Sequence, residues 1–192
     1  YYDFSKLTPV GRRGDELIRR LSERLVGVDL LDQASEILEH QVQFRLTGAA
    51  KAQVANRLAI VHLMNRKPQK AIAILAATRM AELPKEMREQ RLLLESRALM
   101  GANRFDQAID VLASLKGPEV DRMRGDILWS AKRWRQAGEA IELMLGERWK
   151  DEEPLTELER HDVLRAGLAY ALAGEALALT RLREKYGNKM EG

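Results

Sequence analysis

Apolar residues recur along this chain at spacings of three and four, the period of a helix with one buried face. Leu17, Ile18, Leu21 and Leu25 form one stripe, and Leu30, Ala34, Ile37 and Leu38 form the next. Paired stripes return over 50–64 with 69–81, 86–100 with 105–115, 119–131 with 134–145, and 156–173 with 175–186. No segment alternates polar and apolar as a half-buried strand does. The pattern predicts an all-α chain of about ten helices.

Prolines and caps set the boundaries. Pro68, Pro84, Pro118 and Pro154 fall between the periodic segments, since proline fits badly inside a helix. Gly117-Pro118 is expected to stop one helix and start the next. Thr156 followed by Glu159 reads as a capping box. Residues 1–14 are expected to form an extended N-terminal arm, with Gly11-Arg12-Arg13-Gly14 as turn and cap, ahead of a single helical domain over 15–192.

An internal repeat underlies the stripes. Leu31-Asp32-Gln33-Ala34, Pro68-Gln69-Lys70-Ala71, Phe105-Asp106-Gln107-Ala108 and Trp134-Arg135-Gln136-Ala137 align without gaps, their alanines 37, 37 and 29 residues apart. Four places after each alanine stands Leu38, Leu75, Leu112 or Ile141, and twelve places before it Ser22, Ala59, Ser96 or Gly125. Two antiparallel helices approach closely only where both lack bulk, so the small residue should face the alanine. The bulky residue three places before the alanine plugs the turn. Such a unit buries one face alone, and stacking completes its core.

This pattern resembles the tetratricopeptide repeat, a helix–turn–helix unit of about 34 residues with the same small residue, aromatic and alanine. The likeness covers about residues 15–186 and is best around Gly125, Trp134 and Ala137. The tryptophan of each first helix is missing, and prolines rarely take the closing position. In the last unit Gly167, Tyr170 and Gly174 fit, but Ala178 comes one place early and Glu175 replaces the aromatic. The resemblance implies a right-handed superhelical array of about five antiparallel helix pairs, an α-solenoid. It also implies a concave groove, lined by the first helices, that binds a peptide or protein. The family's groove positions carry over to Arg19, Arg20 and Glu23; to Asn56, Arg57, Ile60 and Leu63; to Leu93, Arg97 and Met100; to Arg122, Asp126 and Trp129; and to Arg165 and Leu168. Each unit thus contributes an arginine, a set suited to bidentate capture of an acidic segment.

Composition narrows the function. With 32 basic and 29 acidic residues the net charge is only +3, which disfavours nucleic acid, although 22 of the basic residues are arginine. No cysteine is present, so thiol nucleophiles, disulfides and cysteine zinc sites are excluded. His40, His62 and His161 stand in no ligand motif, Gly11–Gly14 lacks a phosphate loop's lysine, and Asp151-Glu152-Glu153 lacks a calcium loop's spacing. No catalytic residue, cofactor or metal is assigned, and the chain reads as a non-enzyme. Trp134 is expected in the core, Trp129 in the groove or between units, and Trp149 over the last pair. No apolar run reaches the ~20 residues that span a bilayer. The chain opens on Tyr1 and is read as part of a larger bacterial protein, with cytoplasm favoured over periplasm. Alternative readings are a helical-repeat RNA binder and an architectural or oligomerising segment joined through Leu172, Leu177 and Leu179, as monomer or weak dimer.

Overall fold

The structure, a computed structural model, describes residues 11–190 and holds among them ten α-helices and no strand. These are α1 (Arg12–Gly27), α2 (Leu31–Phe44), α3 (Gly48–Met64), α4 (Pro68–Ala77), α5 (Lys85–Gly101), α6 (Phe105–Leu112), α7 (Pro118–Ser130), α8 (Trp134–Leu145), α9 (Glu157–Ala173) and α10 (Ala176–Met190). The expected helices are therefore present in order. Pro68 and Pro118 occupy the first turns of their helices, where a missing N–H costs nothing. Thr156 and Glu159 cap α9 reciprocally.

Side-chain burial follows the repeat. Ala34, Ala71, Ala108 and Ala137 are fully buried, and the small residues Ser22, Ala59, Ser96 and Gly125 are buried with them. Leu38, Leu75, Leu112 and Ile141 complete the row at 3% exposure or less. The turn-plugging Leu31, Pro68, Phe105 and Trp134 are half-buried.

The backbone carries the same repeat. Asp29, Arg66, Asn103 and Lys132 adopt left-handed dihedrals (φ 60, 54, 60 and 57°), each five places before its alanine. In three of these turns the next residue's N–H returns to the helix: Leu30 to the Leu25 carbonyl, Lys67 to His62 and Arg133 to Leu128, at 2.8–2.9 Å. These are Schellman-type ends, which satisfy carbonyls a helix otherwise leaves open. Gly174 (φ 72°) makes the fifth such turn, with Glu175 N–H on the Tyr170 carbonyl at 2.9 Å.

That turn corrects the register of the last unit. Five places after Gly174 stands Leu179, not Ala178, and the residue starting α10 at the plug position is Ala176, not Glu175. A Cβ on Gly167 would meet Leu179 and Leu182 at 3.7 and 3.6 Å, so Gly167 admits the larger side chain opposite it. Three boundaries also differ. Arg12, Arg13 and Gly14 form the first turn of α1 with Gly11 as its cap, while residues 1–10 of the expected arm lie outside the described residues. α4 ends at Ala77, where Thr78 Oγ1 donates to the Ile74 carbonyl at 2.7 Å. α6 ends at Leu112, so Gly117 opens α7 rather than closing α6.

The chain divides into two compact units, the boundary falling between Ala102 and Asn103. In the first, α1 to α5 pack in sequence, and Ala34, Leu38, Val42, Ala55, Leu58 and Val61 form one core cluster. In the second, α6 to α10 do the same, around Ile141, Leu145, Val163, Ala166, Tyr170 and Tyr186, with Trp149 packed against them.

Candidate functional site

First helices supply the site residues expected from the repeat, and each unit treats its arginines differently. In the first unit, α1 neutralises its own. Arg19 is forked between Glu16 (2.6 and 2.7 Å) and Glu23 (2.6 Å), and Arg20 Nε reaches Glu16 at 2.8 Å. Bonds from Arg19 and Arg20 hold the Glu16 carboxyl at about 2. On α3, Asn56 is buried, so it does not line an open groove; its Oδ1 accepts from Arg91 at 2.7 Å.

Arg91 is a buried cation that the periodicity does not mark. It is 8% exposed and donates to the Ala52 and Leu75 carbonyls, Asn56 Oδ1 and Thr78 Oγ1, all at 2.7–2.9 Å. One side chain of α5 thereby ties α3 to the C-terminal end of α4, where helix carbonyls lack partners and the dipole favours a cation. Burial pushes its pKa down, although nothing near neutral pH follows for a guanidinium.

Arg57 and Arg97 behave otherwise. Neither makes an ion pair among the described residues. Arg97 is exposed on α5. Arg57 is half-buried on α3 between two clefts that both involve α1. One, of about 250 Å³, is lined by the charged Asp15, Glu16 and Arg19 together with Leu46, Ala50 and Val54. The other, of about 270 Å³, is apolar, lined by Val26, Leu38, Val61 and the exposed ends of Ile60 and Met64.

In the second unit the expected residues converge but satisfy one another. Arg122 of α7 makes a two-toothed pair with Asp162 of α9 (2.8 and 3.2 Å), and Asp162 is 2% exposed. Arg165 of α9 bonds Asp126 at 2.8 Å and lies 5.0 Å over the Trp129 ring. Trp129 in turn meets Trp134 edge-on at 5.3 Å. The two ion pairs fasten α7 to α9, and Trp129 belongs to inter-helix packing. Glu142 of α8 does similar work on the other side: it accepts from Tyr170 (2.7 Å), Arg181 and Lys185 (2.8 Å each). Burial raises its pKa, but the three donors prevail and hold it at about 2. Of the leucines expected at a self-association face, Leu172 and Leu177 are exposed and Leu179 is half-buried.

His62 is buried where the other units place Leu25, Leu99 and Leu128, nine places before the alanine. Its Nε2 lies 3.2 Å from Glu39, and its Nδ1 has no hydrogen-bond partner among the described residues. Burial pushes its pKa below the ordinary value, with Lys70 and Lys67 adding to the effect and Glu39 opposing it. Among the described residues no group of three or more acidic or histidine side chains could hold a metal, and no helix is long and apolar enough to cross a membrane.

No family model and no curated protein sequence matches the chain. Its helices do superpose on solved structures. A crystal structure of nearly identical TPR-like repeats from Podosopora anserina, described as a kinesin light chain, matches with a TM-score of 0.67 over 91% of this chain and 93% of that one. A glutamine-to-methionine variant of those repeats gives 0.65 over 92% and 96%. The fold is that of tetratricopeptide-like repeats. Identity is 16% in both comparisons, so the likeness is one of fold.

Proposed function

We propose that the chain is a non-enzymatic interaction module whose α1–α3 surface captures an acidic, partly apolar peptide segment of another protein. The observation that carries this reading is Arg57. It lines two clefts and makes no ion pair among the described residues. An apolar side chain entering beside Ile60 and Met64 would place a neighbouring carboxylate within reach of the Arg57 guanidinium, whose planar fork suits bidentate contact. Arg97 adds a second open cation on α5 of the same unit. The opposite arrangement at Arg19, Arg20, Arg122 and Arg165, each already on a carboxylate, lowers the charge offered to phosphate and weighs against the RNA reading.

A displayed peptide library selected on the intact chain tests the proposal. Enriched peptides should pair an apolar residue with Asp or Glu, and Arg57→Glu should weaken them by about tenfold or more with helicity unchanged. Enrichment of peptides without acidic residues, or binding indifferent to Arg57→Glu, would contradict it.

A further inference from the structure

The two clefts beside Arg57 form one trough. The first takes α1 from Arg12 to Arg19 and α3 from Ala50 to Arg57. The second takes α1 from Ser22 to Val26 and α3 from Arg57 to Met64. Both helices therefore run the same way along the trough. Each covers it from end to end in about 21 Å, at a rise of ~1.5 Å per residue. Arg57 stands where the clefts meet, level with the stretch of α1 between Arg19 and Ser22. Measured along α1, that is about 10–15 Å from Arg12.

The charges along the trough leave a remainder. Asp15 accepts from Gln41 at 3.2 Å and from Arg45 at 3.3 Å. Glu16 is held by Arg19 and Arg20, and Glu23 by Arg19. Each carboxylate that lines the trough thus has its cation within the fold. Arg12 and Arg57 are left over, and neither makes an ion pair among the described residues. Arg12 is exposed in the first turn of α1, where the helix dipole disfavours a cation. Nothing local in α1 accounts for a guanidinium there. One open cation therefore stands at the far end of the first cleft, and the other at the entrance to the apolar one.

We propose that the trough takes its partner segment extended, with two carboxylates four residues apart on Arg12 and Arg57 and an apolar side chain two residues past the second, over Ile60 and Met64. This deepens the α1–α3 peptide reading and rests on it. Four residues of extended chain cover about 13 Å, and two more cover about 7 Å, which matches the spacing of the three anchors. Alternate side chains of such a segment share a face, so all three enter the trough together. Clefts of about 250 and 270 Å³, each drawn out over ~10 Å, are narrow beside a helix of ~10–12 Å diameter and suit one extended chain.

The test is fluorescence anisotropy of labelled peptides on the intact chain. Each carries two glutamates at a varied spacing and a leucine two places past the second, built in both chain directions. A helical twin has its glutamates seven apart and its leucine four beyond. A spacing of four should bind about tenfold or more tighter than spacings of two or three. Arg12→Glu should weaken that peptide about tenfold and leave unchanged a version with glutamine in place of the glutamate remote from the leucine. Arg57→Glu should weaken both. Arg12 is exposed, and matching thermal melts verify that the variants fold. Binding that depends on Arg57 but not on Arg12 or the spacing would overturn this inference and leave the α1–α3 reading standing. No binding of any peptide at about 0.5 mM would overturn both. Tightest binding of the helical twin would overturn the extended form. Asp3 is the one carboxylate among residues 1–10, and binding gained only in Asp3→Lys would overturn the proposal by giving the trough to the chain's own first residues.

Discussion

Arg91 and His62 show how a repeat core tolerates polar side chains on different terms. Arg91 is buried with four neutral acceptors, so the fold keeps its charge by solvating it with carbonyl, amide and hydroxyl oxygens. Arg91→Met should lower stability by about 3 kcal/mol, because those acceptors lose their donors, and Arg91→Lys should recover only part, having no planar fork. Chemical denaturation of the three proteins measures the difference. His62 has less support. Its folded-state pKa lies below that of the unfolded chain, which takes up a proton near pH 6.5 while the folded chain resists. Its contribution is therefore complete above about pH 6.5 and is lost as pH falls through that value. The melting temperature should decline from pH 7.5 to 5.5, and His62→Leu, which restores the residue type of Leu25 and Leu128, should flatten the decline. An undiminished pH slope in His62→Leu would show that other groups carry it.

At the scale of elements, the left-handed turns at Asp29, Arg66, Lys132 and Gly174 decide how each helix reverses into its partner. Glycine accepts that conformation freely, and Gly174 has it already; Arg66 and Lys132 hold it against a cost of roughly 1 kcal/mol. Arg66→Gly and Lys132→Gly should therefore stabilise the chain by about 0.5–1 kcal/mol each, although glycine also loosens the unfolded chain and limits the gain. Gly138 is the converse. Its helical position is filled by the Tyr170 ring, so Gly138→Ala should destabilise α8 on α9 by about 1–3 kcal/mol despite alanine's better helix propensity. Thermal melts of the three variants separate these signs. Arg122 and Asp162 add a constraint on any surface experiment. Removing Arg122 strands a buried carboxylate, so its charge reversal reports stability before it reports binding.

At the scale of the whole chain, the helix pairs were legible because burial acts on side-chain size at fixed spacing. Ser22 with Ala34, or Gly125 with Ala137, needs no distant partner to be recognised. The turns were less legible, since nothing in an arginine or lysine marks a left-handed residue, and so the last unit was read one place early. The candidate site divides in the same way. Arg57 follows from its helix position alone. The neutralisation of Arg122 and Arg165 depends on Asp162 and Asp126, about forty residues away, and local spacing cannot show which carboxylate arrives. The Arg91 network is non-local for the same reason. What remains after those pairings is a TPR-like chain with an open cation between two clefts in its first unit. The most direct measurement is a charge-swap cycle by titration calorimetry, using an acidic peptide selected on the intact chain. Arg57→Glu and acid-to-lysine peptide changes should each weaken binding, and the two together should restore it, with a coupling of about 1 kcal/mol or more. Independent losses with no restoration would contradict the assignment of Arg57 as the residue that receives the partner's carboxylate.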